Sequence, residues 1–327
     1  MTSVIIITAT VIAAVLLVST VVGAYVLYSF SVRRRKKDTI SVWEKPFPDT
    51  PSRAKIKFGH RLTEGRRWMY SAARRPDAER VSIMSHDGLR LFARLIPCEE
   101  HISERGVLLM MHGYRSDPIH EFGSCAETFS KMGFVLCLPS QRAHGDSEGK
   151  HLSYGINERF DVAAWARFLA KRYPDRPIIL FGVSMGASSV LMASELELPK
   201  NVVGVVADCG FTSPDEITKK VLRRDMKIPL FPLYRTAELF VRAFAGYRFS
   251  DVSALDAVSN TDLPIMIVHG TEDAFVPYEM GQRLYKAVKS PCLFLSGEGA
   301  QHGETFLMHG AEYVKMFDDF LRLCGIG

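Results

Sequence analysis

The sequence predicts an α/β fold, a mostly parallel sheet with helices on both faces, preceded by one N-terminal transmembrane helix. Three observations carry this expectation. Short apolar runs at residues 106–111, 134–138, 178–183, 201–207, 264–268 and 291–295 alternate with stretches whose apolar residues have helical spacing. Strands that are apolar on both sides belong in a parallel sheet covered on both faces. Residues 1–32 carry no charged side chain, and residues 4–30 are almost continuously apolar, long enough to cross a bilayer as a helix. Finally, the alternation breaks down between Phe211 and Val258, where Lys219, Lys220, Arg223 and Arg224 mix with an apolar patch from Ile228 and with Phe240 and Phe244 at helical spacing. A long amphipathic insertion after a strand predicts a helical lid at about 211–258, its plainer alternative being a surface insertion with a small satellite core.

The organisation follows from these boundaries: a transmembrane anchor at 1–32, a basic juxtamembrane linker at 33–79, and a globular domain at 80–327. A cleaved signal peptide is the alternative for the first segment, but the positive n-region and short h-region it needs are missing. Arg33, Arg34, Arg35, Lys36 and Lys37 follow the apolar stretch directly. By the positive-inside rule they keep the domain on the cytoplasmic side of a single-pass membrane protein. The net charge of +5 is uneven: residues 1–80 hold 15 Lys/Arg against 6 Asp/Glu, leaving 26 against 30 in the remainder. A near-neutral body with a basic neck argues against nucleic acid as a partner. The six cysteines (Cys98, Cys125, Cys137, Cys209, Cys292, Cys324) show no zinc-type or redox-type spacing and read as small buried hydrophobes.

Within the linker, Pro46, Pro48 and Pro51 precede a basic stretch around Trp68, Met69 and Tyr70 that suits a helix lying on the domain or on the membrane surface. From Arg80, alternation around Asp87-Gly88 predicts a hairpin. Helices are expected at 119–131, 157–172, 185–196 and near 311–323.

The chemistry centres on Gly182-Val-Ser184-Met-Gly186, placed between an apolar strand and a helix. In such a turn the flanking glycines keep side chains away from a crowded backbone and leave the serine hydroxyl exposed at a helix N-terminus. A serine hydroxyl is a weak nucleophile, so it needs a base and a carboxylate that orients the base. Asp273 lies in the loop after one apolar run and His302 in the loop after the next, which are positions where open α/β sheets gather their sites. Asp208, at the end of its own strand, is the alternative acid. His112 and His144 read as loop braces, His151, His269 and His309 as surface or strand-end residues, and Ser188 and Ser189 as packing residues of the helix. No phosphate-binding loop or H-E-x-x-H metal motif occurs, so no cofactor or metal is inferred.

The order Ser184, Asp273, His302 is that of the α/β-hydrolases. His112-Gly113, the Gly182–Gly186 turn, H-G-x-x-D-x-x-V-P at 269–277 and G-x-x-H at 299–302 together resemble that superfamily over about residues 80–323. The chain is similar to membrane-associated serine hydrolases of the Bem46-like or ABHD type and their bacterial relatives. Arg142-Ala-His144-Gly145-Asp-Ser147 matches their R-x-H-G-x-S turn, with Ser140 where many relatives have aspartate. The resemblance implies an α/β-hydrolase fold and a membrane-anchored serine hydrolase that cleaves carboxylic esters, with thioesters and amides open to the same chemistry. It also implies an oxyanion hole formed by the backbone N–H groups of Tyr114 and Met185. The anchor and apolar lid make small or lipid-like acyl esters the expected substrates. An acyltransferase using the same triad and a non-catalytic, membrane-tethered binding protein are the competing readings.

Overall fold

The computed structural model describes residues 1–36, 41–43, 59–99 and 104–327. Lys37 and the linker prolines Pro46, Pro48 and Pro51 lie outside the described residues. One sheet of eight strands organises the domain, in the order β1-β2-β4-β3-β5-β6-β7-β8. The hairpin β1 (Glu79–Met84) and β2 (Arg90–Ile96) turns at Gly88, whose φ of +81° is one that glycine adopts without strain. β2 runs antiparallel to both of its neighbours, β1 and β4. From β4 (Phe134–Ser140) and β3 (Gly106–Met111) through β5 (Ile178–Val183), β6 (Val202–Asp208), β7 (Ile265–Gly270) and β8 (Cys292–Gly297), every pairing is parallel.

Alternate residues of the strands feed two cores. Val107, Leu109, Leu180 and Val205 face Trp165 and Leu169 of α5 (Glu158–Arg172) and Val190 and Leu191 of α6 (Met185–Ala193). Leu108, Met110, Ile179 and Phe181 face the other side, against Phe122 of α3 (Pro118–Phe122), Phe129 of α4 (Ala126–Lys131) and Phe317 and Phe320 of α12 (Gly310–Leu323). Each of these large side chains is worth about 1.5–3 kcal/mol when fully buried. The remaining helices are α1 (Thr2–Ser31), α2 (Gly59–Ala72), α7 (Pro214–Lys220), α8 (Leu233–Ala245), α9 (Ala254–Ala257), α10 (Tyr278–Ala287) and α11 (Thr305–Met308).

The expected helix at 119–131 is two helices, α3 and α4. The break is at Gly123, whose position leaves no room for a side chain: an added Cβ would come within 2.8 Å of the Ile119 carbonyl and 2.5 Å of the Arg66 side chain. Arg66 belongs to α2, and Gly65 of the same helix packs directly on the Gly123 carbonyl. The basic stretch around Trp68 is therefore helical and lies on the domain, burying Leu62, Met69 and Ala72. Helix α6 ends at Ala193, one turn short of the expected Leu196.

Between β6 and β7, the insertion is helical: α7, a π-helical turn at Val221–Asp225, α8 and α9. Helix α1 is 30 residues long with a mean hydropathy of 2.7 over its most apolar window, so it is long and apolar enough to cross a membrane. At 1.5 Å per residue it measures about 45 Å, against a hydrocarbon core of about 30 Å. Its residues 1–19 are exposed, whereas Ala24 and Tyr28 are buried against the domain.

Candidate active site

Ser184 sits between β5 and α6 with φ +57° and ψ −118°, a left-handed conformation that a non-glycine residue holds only where its surroundings enforce it. The enforcement comes from close backbone packing on both sides. A Cβ on Gly182 would lie 2.3 Å from the Gly186 carbonyl, and one on Gly186 would lie 1.9 Å from the Met111 carbonyl. Glycine at both positions lets α6 sit directly on β3 and β5. The Ser184 amide donates to the Asp208 carbonyl at 2.8 Å, which ties the turn to the end of β6.

Loops after β7 and β8 bring the other two residues to this hydroxyl. His302 Nε2 lies 2.9 Å from Ser184 Oγ, and His302 Nδ1 lies 2.6 Å from Asp273 Oδ2. The second carboxylate oxygen, Oδ1, accepts the backbone N–H groups of Phe275 at 2.9 Å and Val276 at 2.8 Å. Burial alone would raise the Asp273 carboxyl. Hydrogen bonding to His269, His302 and the Val276 amide outweighs it and holds the group well below the usual carboxylate range. Asp273 is therefore held as an anion, with Oδ1 on two backbone amides and Oδ2 on His302. His269, read from sequence as a strand-end residue, is fully buried and lies 3.5 Å from Asp273 Oδ2, with Nε2 2.9 Å from the Val276 carbonyl.

Asp208, the alternative acid, is buried at the end of β6 with Oδ1 unpartnered among the described residues, while His302 Nδ1 bonds to Asp273. Burial pushes its carboxyl up to about 7, against the pull of His269 and His302. Cys209, Asp273 and His302 bring one ligand-type atom each within 4.8 Å of one another, but both imidazole nitrogens are already engaged by Asp273 and Ser184.

Beside the serine, the loop after β3 is braced on both sides of Tyr114. The Gly113 amide donates to Glu121 at 3.0 Å and the Arg115 amide donates to His144 Nε2 at 3.1 Å. The intervening Tyr114 amide has no protein acceptor among the described residues. His144 bonds through Nδ1 to the Arg142 carbonyl at 2.9 Å, and His112 accepts the Gln141 amide at Nε2 while bonding through Nδ1 to the Gly113 carbonyl. Burial and the neighbouring His144 pull the His112 pKa down to about 4, which keeps it a neutral brace. Arg142 anchors the same turn: its guanidinium meets Asp161 at 2.6 and 2.7 Å and Asp87 at 2.9 Å, joining the hairpin, the turn and α5.

Ser184 opens into a cavity of about 210 Å³ whose walls include Tyr114, Met185, Phe211, Ile217 and Phe275. Among the described residues, no charged side chain lines it. Sequence reasoning missed one wall residue, Tyr154, and read Ser188 only as a packing residue although it holds the wall residue Phe211. Tyr154, with φ +55°, stacks on Tyr114 at 5.2 Å between ring centroids, and Ser188 latches Phe211 by accepting its amide at 2.8 Å and donating to its carbonyl at 3.0 Å. Neither has a motif signal; each depends on contacts between segments distant in sequence. A larger open cleft of about 460 Å³, among Arg33, Arg35, Lys150 and His151, shares no wall residue with the Ser184 cavity.

Comparison with known proteins agrees with this architecture. Residues 102–230 match the family described as serine aminopeptidase, S33. The uncharacterised protein YqkD of Bacillus subtilis is 26% identical over 215 residues, covering 65% of this chain and 70% of that protein. Alpha/beta hydrolase domain-containing protein 17B of Xenopus tropicalis is 24% identical, covering 80% of this chain and 81% of its own. Lysophosphatidylserine lipase ABHD12 of Danio rerio is 24% identical over 60% of this chain and 52% of its own length. Among solved structures, the Pyrococcus furiosus esterase Pf2001 superposes with a TM-score of 0.59 at 24% identity, covering 75% of this chain and 91% of that one. The strand order, the glycine-flanked turn after β5 and these matches together show the α/β-hydrolase fold and a likeness to members of that superfamily.

Proposed function

We propose that the protein is a membrane-anchored serine hydrolase that cleaves carboxylic esters through an acyl-enzyme. The observation that carries this reading is the hydrogen-bonded chain Asp273–His302–Ser184, at 2.6 and 2.9 Å, ending at an apolar cavity. Ser184 Oγ attacks the ester carbonyl as its proton passes to His302 Nε2, and the imidazolium is stabilised by Asp273. The amides of Tyr114 and Met185 hold the oxyanion, which develops beside Gly113, where the structure leaves no room for a side chain: a Cβ there would lie 2.9 Å from Glu121 and 3.3 Å from Ser184 Cβ. His302 then protonates the leaving alcohol. In the second half-reaction water attacks the acyl-enzyme, with His302 again as base, and the acid and Ser184 are released.

The lining favours an acyl over an aminoacyl substrate. An aminopeptidase has to hold an α-ammonium group, and burying a cation without a charged or polar partner is costly; the cavity walls are apolar or hydroxyl-bearing. Lipase and esterase names among the relatives point the same way. In this reading α1 is the membrane anchor, about residues 211–258 act as the lid, and the domain from Arg80 onward faces the cytoplasm.

Turnover of p-nitrophenyl esters by the full-length protein in detergent tests the proposal. Hydrolysis that vanishes in Ser184→Ala is expected, and hydrolysis that survives it would overturn the nucleophile assignment. Product analysis with added alcohol or amine acceptors separates hydrolysis from acyl transfer, since a transferase forms acyl-acceptor product in preference to free acid. Protease protection in sealed vesicles checks orientation, with residues 80–327 expected on the cytoplasmic side.

A further inference from the structure

Helix α1 is longer than a bilayer requires, and its surplus length is not idle. Ala24, Tyr28 and Val32 recur every fourth residue and are buried, so the last turns present one face to protein. That face meets the insertion: the Tyr25 ring lies 5.6 Å from that of Phe240, the Tyr28 ring lies 5.6 Å from that of Phe244, and an added Cβ on Gly23 would touch Leu233 at 3.2 Å. The helix end is then stitched to the loops of the active site. The Ser31 carbonyl accepts the Tyr114 hydroxyl at 2.7 Å, the Phe30 carbonyl accepts Arg115 at 2.9 Å, the Val32 carbonyl accepts the Leu152 amide at 2.8 Å, and Tyr28 bonds to His151 at 2.8 Å. Tyr114 and Arg115 belong to the loop assigned to the oxyanion, so the anchor grips the catalytic machinery itself.

This docking carries Leu27, Phe30 and Ser31 into the wall of the cavity that ends at Ser184. Phe30, Met226 and Phe275, also on that wall, are 59%, 45% and 43% exposed. Three large apolar side chains on the wall of one cavity, one of them on the anchor helix, are poorly placed in water and well placed at a lipid surface.

We infer that the last turns of α1 are a wall of the substrate pocket, with Leu27 and Phe30 as specificity-determining residues, and that the pocket's occupant is the single acyl chain of a membrane-resident ester. The inference rests on the proposed acyl-enzyme reading for its chemistry, but the wall itself is a matter of binding. A cavity of about 210 Å³ is smaller than the ~300–1,000 Å³ of drug-sized ligand sites, which suits one chain rather than two.

The test uses full-length protein in detergent and the ratio of kcat/KM for p-nitrophenyl octanoate over acetate. Leu27→Trp fills the pocket and is expected to lower that ratio on the order of tenfold or more, the scale on which apolar pockets discriminate chain length. Leu27→Ala is expected to shift the preference toward longer chains. Leu16→Trp, at a position 63% exposed on the same helix, is expected to leave the ratio unchanged. An unchanged ratio in both Leu27 variants, or an equal fall in Leu16→Trp, overturns the wall. Should the wild-type protein show no Ser184-dependent turnover, the acyl-enzyme reading fails, and binding decides the wall separately. Fluorescence of cis-parinarate bound to Ser184→Ala, weakened on the order of tenfold by Leu27→Trp, upholds it. No binding, or equal binding with and without Leu27→Trp, refutes it.

Discussion

Replacing Asp273 with asparagine isolates what the carboxylate does, because the two side chains have nearly the same shape. Asp273 Oδ1 accepts two backbone N–H groups, from Phe275 and Val276, and Oδ2 faces His302 Nδ1 at 2.6 Å. An asparagine must keep its oxygen on the two amide donors, since turning its NH₂ toward them would set donor against donor. The NH₂ then faces His302 Nδ1 and donates to it, so the ring proton moves to Nε2. That nitrogen lies 2.9 Å from Ser184 Oγ and, carrying a proton, cannot accept another. In the chymotrypsin-type triad this tautomer reversal lowers kcat about 10⁴-fold. The same fall here corresponds to about 5 kcal/mol of barrier at 1.36 kcal/mol per tenfold. Steady-state ester hydrolysis by Asp273→Asn, beside Asp208→Asn, measures it. The expected result is a loss of 10³–10⁴-fold for the first and less than about threefold for the second. Comparable activity in Asp273→Asn and wild type, or a collapse confined to Asp208→Asn, would refute the assignment of the acid.

Asp208 has a separate signature in stability. Its carboxyl titrates near 7 when folded and 3.8 when unfolded, so the folded state holds the proton longer. Unfolding then releases a proton between pH 4 and 7. Its contribution to stability is full below pH 4 and lost as pH rises through 7, by about 4 kcal/mol in all. Asp208→Asn removes that loss, so thermal melts should show the variant gaining on wild type by roughly 8 °C between pH 4 and pH 8, at about 2 °C per kcal/mol; a constant difference across that range contradicts the account. Arg142→Gln leaves Asp161 buried without its partner and should cost about 3–5 kcal/mol, measured by denaturant unfolding. Gly186→Ala drives a Cβ to 1.9 Å from the Met111 carbonyl, which is backbone and has nowhere to go. Loss of soluble, folded protein by circular dichroism is expected.

The parts of this architecture that could be read from sequence share a physical cause. Strands β3 to β7 are covered on both faces, so each appears as an unbroken apolar run with little else it can be. The placement of Ser184, Asp273 and His302 past strand ends was legible because each follows an apolar run, at β5, β7 and β8, with glycines close by. The two helices at 118–131 were not separable, because what divides them is the contact between Gly65 and Gly123, 58 positions apart. The docking of α1 was hidden for a different reason. An almost uniformly apolar helix has no polar face to betray which side meets protein, so Tyr28 and Leu27 lie in the same apolar run as the exposed residues before them. The aromatic pair Phe240 and Phe244 did signal an amphipathic helix in the insertion, but not that its partner is α1.

Intact-mass and peptide mass spectrometry of the protein after treatment with a fluorophosphonate tests the central claim most directly. Serine hydrolases with an activated nucleophile form a phosphonyl ester at that residue. The account predicts one adduct per chain, located on Ser184, lost in Ser184→Ala and strongly slowed in His302→Ala. Stoichiometric labelling at any other serine, or no adduct on a folded protein, would contradict it.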